Sequence, residues 1–272
     1  MKAKFKAGLV QFDVEKGRTS ANMEKVFLQL ENLARENVSL AVLPEMFSCS
    51  FDNENLKFYA QDYNELLARL QTFAFDHRMA IAGSLPEMDN GQLFNTMVFI
   101  DTDGTIKGKY RKIHLFRLTK EHLYYTAGKQ IVIVDSLLGR IGLMICYDLR
   151  FPELARAMFL NKAKIIIVSA QWPESRKMHW ETLIKARAIE NQLFMICTNR
   201  TGKKDMLNFS GMSMIVDPMG NVLVMAGDDE SCVFAEIDLE DICKARSLIP
   251  CITDRQPEVY KNYLLETVYS HG

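Results

Sequence analysis

The chain has 272 residues, 48% of them hydrophobic, a length and composition that suit a large α/β domain with a sizeable core. With 33 lysines and arginines against 34 aspartates and glutamates, it has no broad basic field to attract nucleic acid or anionic lipid. No apolar run approaches a membrane span, and six scattered cysteines are too sparse for a small disulfide scaffold, so a cytoplasmic, reducing location is expected.

In chain order the pattern alternates strands with helices. KFKAGLVQF opens as a strand, NMEKVFLQLENLARE follows at helical spacing, and SLAVLPEMF reads as a buried strand stopped by Pro44. YNELLARLQTFAFDHRM predicts a second helix, and MAIAGSLPE and FNTMVFIDTDG two more strands. A polar insertion, GKYRKIHLFRLTKEHLYYTAGK, then precedes the apolar run IVIVDSLLGRIGLMICYD. A helix is predicted from Pro152, a strand over KIIIVSAQW, a helix over MHWETLIKARAIENQ and a strand over LFMICTNR. GMSMIVDP and SCVFAEIDL, flanking the turn signal PMGN, complete the strands. From Ser247 onward, Pro250 and Pro257 among polar residues read as an extended tail, whose Tyr260, Leu264 and Leu265 offer apolar contacts to this subunit or another. No low-complexity linker divides the chain, so one domain over residues 1–272 is expected. Helices covering two sheets would give four layers, whereas strictly alternating units would give one doubly wound sheet. Periodicity leaves both open.

Three polar residues stand where such folds place chemistry. Cys146 follows the strand-like Ile141, Leu143, Met144 and Ile145 and precedes the helix from Pro152, at the carboxyl end of a strand where backbone N–H groups can face negative charge. It reads either as a nucleophile or as a small buried hydrophobe. Glu45, after Pro44, sits at a similar strand end and reads as a solvated acid or, paired with a cysteine, as a general base. In KYRKIHLF, Lys109, Arg111 and Lys112 resemble a solvated charge run, yet large apolar neighbours surround them; a lysine buried there needs a negative partner, such as a developing oxyanion. CxxC pairs, HExxH runs and glycine-rich phosphate loops are absent, and the five histidines are dispersed, so neither a metal nor a cofactor is expected.

LPEMF at 43–47, KYRKIHLF at 109–116 and ICYDLRFPELAR at 145–156 closely resemble, in order, the motifs of the nitrilase superfamily of carbon–nitrogen hydrolases. EHLYYTAG, HWETLIKARAIENQ, CTNR, FSGMS and DPMGNVL extend the resemblance over most of the chain. The resemblance implies a four-layer α-β-β-α sandwich, subunits that commonly pair, and catalytic Glu45, Lys112 and Cys146. In that mechanism Glu45 takes the thiol proton as Cys146 attacks an amide carbonyl. Lys112 and the backbone N–H of Tyr147 stabilise the oxyanion. Glu121 matches the family's additional glutamate and would orient Lys112.

Arg150 reads two ways: as a guanidinium fork for a substrate carboxylate, as in relatives that cleave N-carbamoyl amino acids, or as a structural partner of Asp148 or a more distant acid. Trp172, in AQWPES, is a pocket wall or an ordinary core aromatic. His179, Trp180 and the ARAIENQ run at 186–192 are assigned to architecture. HLFRLTKEHLYYTAG with QWPES and KARAIENQ most resembles the bacterial branch near the omega-amidases, which implies hydrolysis of a small terminal amide such as 2-oxoglutaramate, with N-carbamoyl amino acid hydrolysis as the alternative and nitrile hydrolysis less favoured. A homodimer, or a larger assembly, is expected; nucleic acid and membrane are not.

Overall fold

The computed structural model describes residues 3–264. The first half builds one sheet from β1 (Lys4–Gln11), β2 (Leu40–Val42), β3 (Ala80–Asp89), β4 (Gln92–Ile100) and β5 (Ile106–Arg111), with α1 (Thr19–Arg35) between β1 and β2, and α2 (Leu56–Tyr59) and α3 (Tyr63–His77) between β2 and β3. The second half builds another from β6 (Ile133–Ser136), β7 (Gly139–Ile145), β8 (Ile165–Ala170), β9 (Phe194–Asn199), β12 (Met214–Val216) and β13 (Val222–Met225). Here α4 (Pro152–Leu160) and α5 (Lys177–Asn191) form the crossovers, and β10 (Thr201–Lys204) and β11 (Leu207–Ser210) make a separate hairpin. The chain then returns to the first sheet through β14 (Ser231–Asp238) and ends in α6 (Glu240–Leu248), α7 (Cys251–Asp254) and α8 (Pro257–Leu264). The strand orders are β14-β1-β2-β3-β4-β5 and β13-β12-β9-β8-β7-β6. Each sheet has three parallel strands at its centre, β1-β2-β3 and β7-β8-β9, and antiparallel strands outside them.

Period-two alternation explains the layering. In β1, Phe5, Ala7 and Leu9 face the core between the sheets while Val10 packs outward; in β4, Met97 and Phe99 face in while Val98 and Ile100 face out. The outward set of the first sheet meets Met23, Val26, Leu30 and Leu33 of α1 and Leu66, Leu67 and Leu70 of α3. Leu154 and Met158 of α4 and Trp180, Ile184 and Ala188 of α5 cover the second sheet. The result is the four-layer α-β-β-α sandwich, not a single doubly wound sheet. Gly8 allows the close approach on one side: a Cβ there would lie 2.8 Å from Leu33 Cδ2. Gly142 does so on the other, 2.6 Å from Met158 Sδ.

Several elements depart from the sequence reading. The polar insertion begins inside β5, an edge strand whose Lys107, Lys109 and Arg111 alternate with Ile106, Gly108 and the buried Tyr110. Charge on the open side of an edge strand discourages pairing with other chains, and it also masks the strand pattern. The hairpin β10–β11, β13 and α6 were likewise not foreseen. The segment from 247, expected to be an extended tail, carries α7 and α8; Pro257 occupies the first position of α8, where its missing N–H costs nothing. Tyr260 is exposed on α8, the Leu264 side chain is not described, and Leu265 lies outside the described residues. Among the described residues no helix is long and apolar enough to cross a membrane.

Candidate active site

The strand ends that carry the candidate residues come from both sheets and are joined there by buried hydroxyls. Ser169 Oγ of β8 donates to the Leu43 carbonyl at 2.7 Å, and Thr198 Oγ1 of β9 to the Val42 carbonyl at 3.0 Å. These bonds hold the loop after β2, and with it Glu45, against the second sheet. Met46 takes a φ of 50°, and its N–H donates to Ser84 Oγ at 2.9 Å, which turns the chain sharply just after Glu45.

Glu45, Lys112 and Glu121 form a buried cluster. Lys112 Nζ lies 2.8 Å from Glu45 Oε1 and 2.9 Å from Glu121 Oε2. Glu45 Oε1 also accepts from Asn95 Nδ2 at 2.8 Å, and Oε2 from the Gln171 N–H at 3.0 Å. Glu121 Oε2 accepts from the Phe116 N–H at 3.1 Å. Burial disfavours the Lys112 ammonium, but Glu121 and Glu45 outweigh it and hold its pKa well above the ordinary value. Burial raises the pKa of Glu121 despite the opposing pull of Lys112. The sequence alternative of a solvated charge run holds for Lys109 and Arg111, which reach Glu87 and Asp89, and fails for Lys112.

Cys146 ends β7 and begins a 3₁₀ turn through Arg150. Its φ of 45° lies in the left-handed region that non-glycine residues enter at a cost of about 1–3 kcal/mol. Asp148 holds the turn there. This fully buried carboxylate accepts from the Ile145 N–H at 2.9 Å, Tyr110 Oη at 2.7 Å and the His114 N–H at 3.1 Å, with His114 Nδ1 at 2.8 Å. Tyr110 and His114 flank Lys112, so one side chain ties the cysteine turn to the lysine segment. Sequence reading missed it, having treated Asp148 as a partner for Arg150.

Cys146 is half-buried and shares with Glu45 and Glu121 the wall of a cavity of about 310 Å³. Burial and the Glu45 carboxylate push its thiol well above the ordinary pKa, against the pull of Lys112 and of a hydrogen bond from the Gln171 main chain. Tyr147 follows, its ring 4.7 Å from that of Phe116 and 5.2 Å from that of Phe151.

Arg150 does not pair with Asp148, whose oxygens are occupied. Its guanidinium lies 4.6 Å from the Trp172 ring centre and 3.3 Å from His179 Nδ1, and it lines the cavity without a carboxylate partner among the described residues. His179 therefore touches a cavity residue, while Trp180 and the following helix pack as expected. Trp172 combines both readings: it is buried against Trp180 and also lines the cavity. Asn199 fixes its main chain, accepting from the Trp172 N–H at 2.7 Å and donating to its carbonyl at 3.0 Å. Next to it, the fully buried Arg200 donates to Gln171 Oε1 at 3.1 Å, and Gln171 Nε2 donates to the Glu45 carbonyl at 2.8 Å. The CTNR stretch thus braces both the pocket wall and Glu45, roles that adjacency in sequence does not show. No cluster of three or more His, Cys, Asp or Glu side chains among the described residues is arranged to hold a metal ion.

Comparison with known proteins agrees with this geometry. The carbon-nitrogen hydrolase family model matches residues 6–247. A 2-oxoglutaramate amidase from Bacillus subtilis is 37% identical over 259 residues, covering 94% of this chain and all of the relative. An omega-amidase from Xenopus tropicalis is 31% identical, covering 95% of this chain and 97% of its own. The crystal structure of a carbon–nitrogen hydrolase from Helicobacter pylori superimposes with a TM-score of 0.91 at 28% identity, covering 97% of this chain and all of that one. A cysteine on a strained turn beside a buried Glu–Lys–Glu cluster, within this sandwich and with these relatives, places the chain in the carbon–nitrogen hydrolase family of the nitrilase superfamily.

Proposed function

We propose that this enzyme is an amidase of the omega-amidase kind, hydrolysing the terminal carboxamide of a small acid such as 2-oxoglutaramate. The observation that carries the proposal is that Glu45 and Glu121, which clasp the buried Lys112, line one small cavity with Cys146 and an arginine that has no carboxylate partner among the described residues. The names of the Bacillus and Xenopus relatives support the substrate class.

In this reading Cys146 Sγ attacks the amide carbon while its proton passes to Glu45. Lys112, held by Glu45 Oε1 and by both oxygens of Glu121, donates to the oxyanion as it forms, with the Tyr147 N–H as the second donor. The C–N bond then breaks, Glu45 returns the proton to the departing nitrogen, and ammonia leaves a thioester on Cys146. Water adds after giving a proton to Glu45, the S–C bond breaks, and the protonated Glu45 restores the thiol as the acid is released. Glu121 holds Lys112 in place. Arg150, stacked on Trp172, binds the carboxylate at the far end of the substrate.

The test compares ammonia release from 2-oxoglutaramate, a neutral amide of equal length, an N-carbamoyl amino acid and a small nitrile. The highest kcat/KM is expected for 2-oxoglutaramate. A higher value for the N-carbamoyl compound would reassign the enzyme as a carbamoyl hydrolase, and selective turnover of the nitrile would make it a nitrilase.

A further inference from the structure

The hairpin β10–β11 brings a further cation to the cavity, beside Arg150 and Arg176. Lys204, the last residue of β10, lines the same cavity as Cys146 and Glu45 and is half-buried there. Its ammonium lies 5.4 Å from the centre of the Phe51 ring and forms no ion pair among the described residues. Burial pushes its pKa below the ordinary lysine value, and Lys16 and Arg200 push the same way; Asp205 and Asp52 oppose them. Asp52 is already engaged by Tyr59, Asn55 and Lys16. A half-buried lysine that forms no ion pair among the described residues is stabilised by a negative group brought to it in the cavity.

Phe51 also sets a distance. Lys112 Nζ lies 5.9 Å from the same ring centre, so the two ammonium nitrogens are at most about 11 Å apart, the two distances laid end to end. In a five-carbon ω-amide acid, four C–C bonds of about 1.52 Å place the amide and carboxylate carbons roughly 5 Å apart. A bent conformer of such a molecule, with charge-assisted contacts of about 2.8 Å at either end, stays within that upper limit.

We infer that Lys204 is a specificity residue, pairing from the hairpin side with the distal carboxylate that Arg150 receives from the Trp172 side. The inference rests on the amidase reading above and deepens it: the substrate is an anionic ω-amide whose acid end is held between two cations from different elements.

The experiment measures kcat and KM for 2-oxoglutaramate and for pentanamide with the parent enzyme, Lys204→Gln and Lys204→Arg. Lys204→Gln is expected to lower the ratio of kcat/KM for the acid over the neutral amide by roughly tenfold or more, the usual scale for losing one charge-assisted hydrogen bond. The loss should appear in KM rather than kcat. Lys204→Arg should recover most of the ratio, because the positive charge returns. A parental ratio in Lys204→Gln, or equal losses on both amides, would overturn the assignment of Lys204 while leaving the amidase reading intact. A parent enzyme with no preference for the acid would overturn the acid-substrate reading, and this inference with it.

Discussion

Burial and the Glu45 carboxylate work against ionisation of Cys146, while Lys112 works for it, and the net direction is upward. In the proposed mechanism Cys146 therefore rests as a neutral thiol and needs a base at the moment of attack, unlike cysteine enzymes that store a thiolate. Thiolate absorbance near 240 nm should stay low through neutral pH and rise only above the ordinary thiol range of about 8.5. Because the Glu45 charge is one cause of the shift, Glu45→Gln should move this titration downward even as it impairs turnover. A thiolate already formed at pH 7 in the parent would contradict the account. Glu45 and Cys146 are legible as candidates because each follows a recognisable strand, and Lys112 because large apolar residues surround its charge run, although residue patterns alone leave bland readings open beside the ordered motifs. Asp148 was not legible as a brace: its partners Tyr110 and His114 lie 38 and 34 residues upstream, and only the fold brings them together.

Asp148 acts at the scale of elements, since it joins the end of β5 to the turn after β7. Asp148→Asn keeps the volume but turns one oxygen into a donor facing the Ile145 N–H, Tyr110 Oη or the His114 N–H, so a bond among these is lost. Folding stability should fall by about 1–3 kcal/mol, the cost of an unsatisfied buried group. In the folded fraction kcat should fall more than KM rises, because the Cys146 turn loses its alignment with Lys112. Parental kcat in a folded variant would show that the brace is irrelevant to chemistry. Element legibility followed burial. Strands apolar on both faces and helices with one apolar stripe were readable, whereas β5 and the β10–β11 hairpin carry polar residues that resemble a loop, and β13 is a four-residue apolar run directly after a turn, too short to show a period.

For the whole molecule, the two-sheet sandwich emerged from the ordered family motifs, since periodicity does not say whether alternating units share a sheet. The exposed side chains Leu160 of α4, Ile189 of α5 and Ile249 after α6 lie on neighbouring elements. Gln192 links the last two, donating to the Ala245 and Ile249 carbonyls at 3.1 and 2.7 Å. An apolar surface on these elements supports the proposed pairing of subunits. Sedimentation over a range of concentrations should give a particle near twice the chain mass of 31.2 kDa. An active monomer at all concentrations would exclude obligate pairing.

The proposed chemistry passes the acyl group through Cys146. Enzyme mixed with 2-oxoglutaramate, quenched in acid within milliseconds and digested, should show by mass spectrometry the substrate acyl group, less ammonia, on the peptide containing residue 146. The same peptide from Cys146→Ala should carry no adduct, and that folded variant should release no ammonia. Substrate turnover by Cys146→Ala, or an adduct confined to another residue, would rule out Cys146 as the nucleophile.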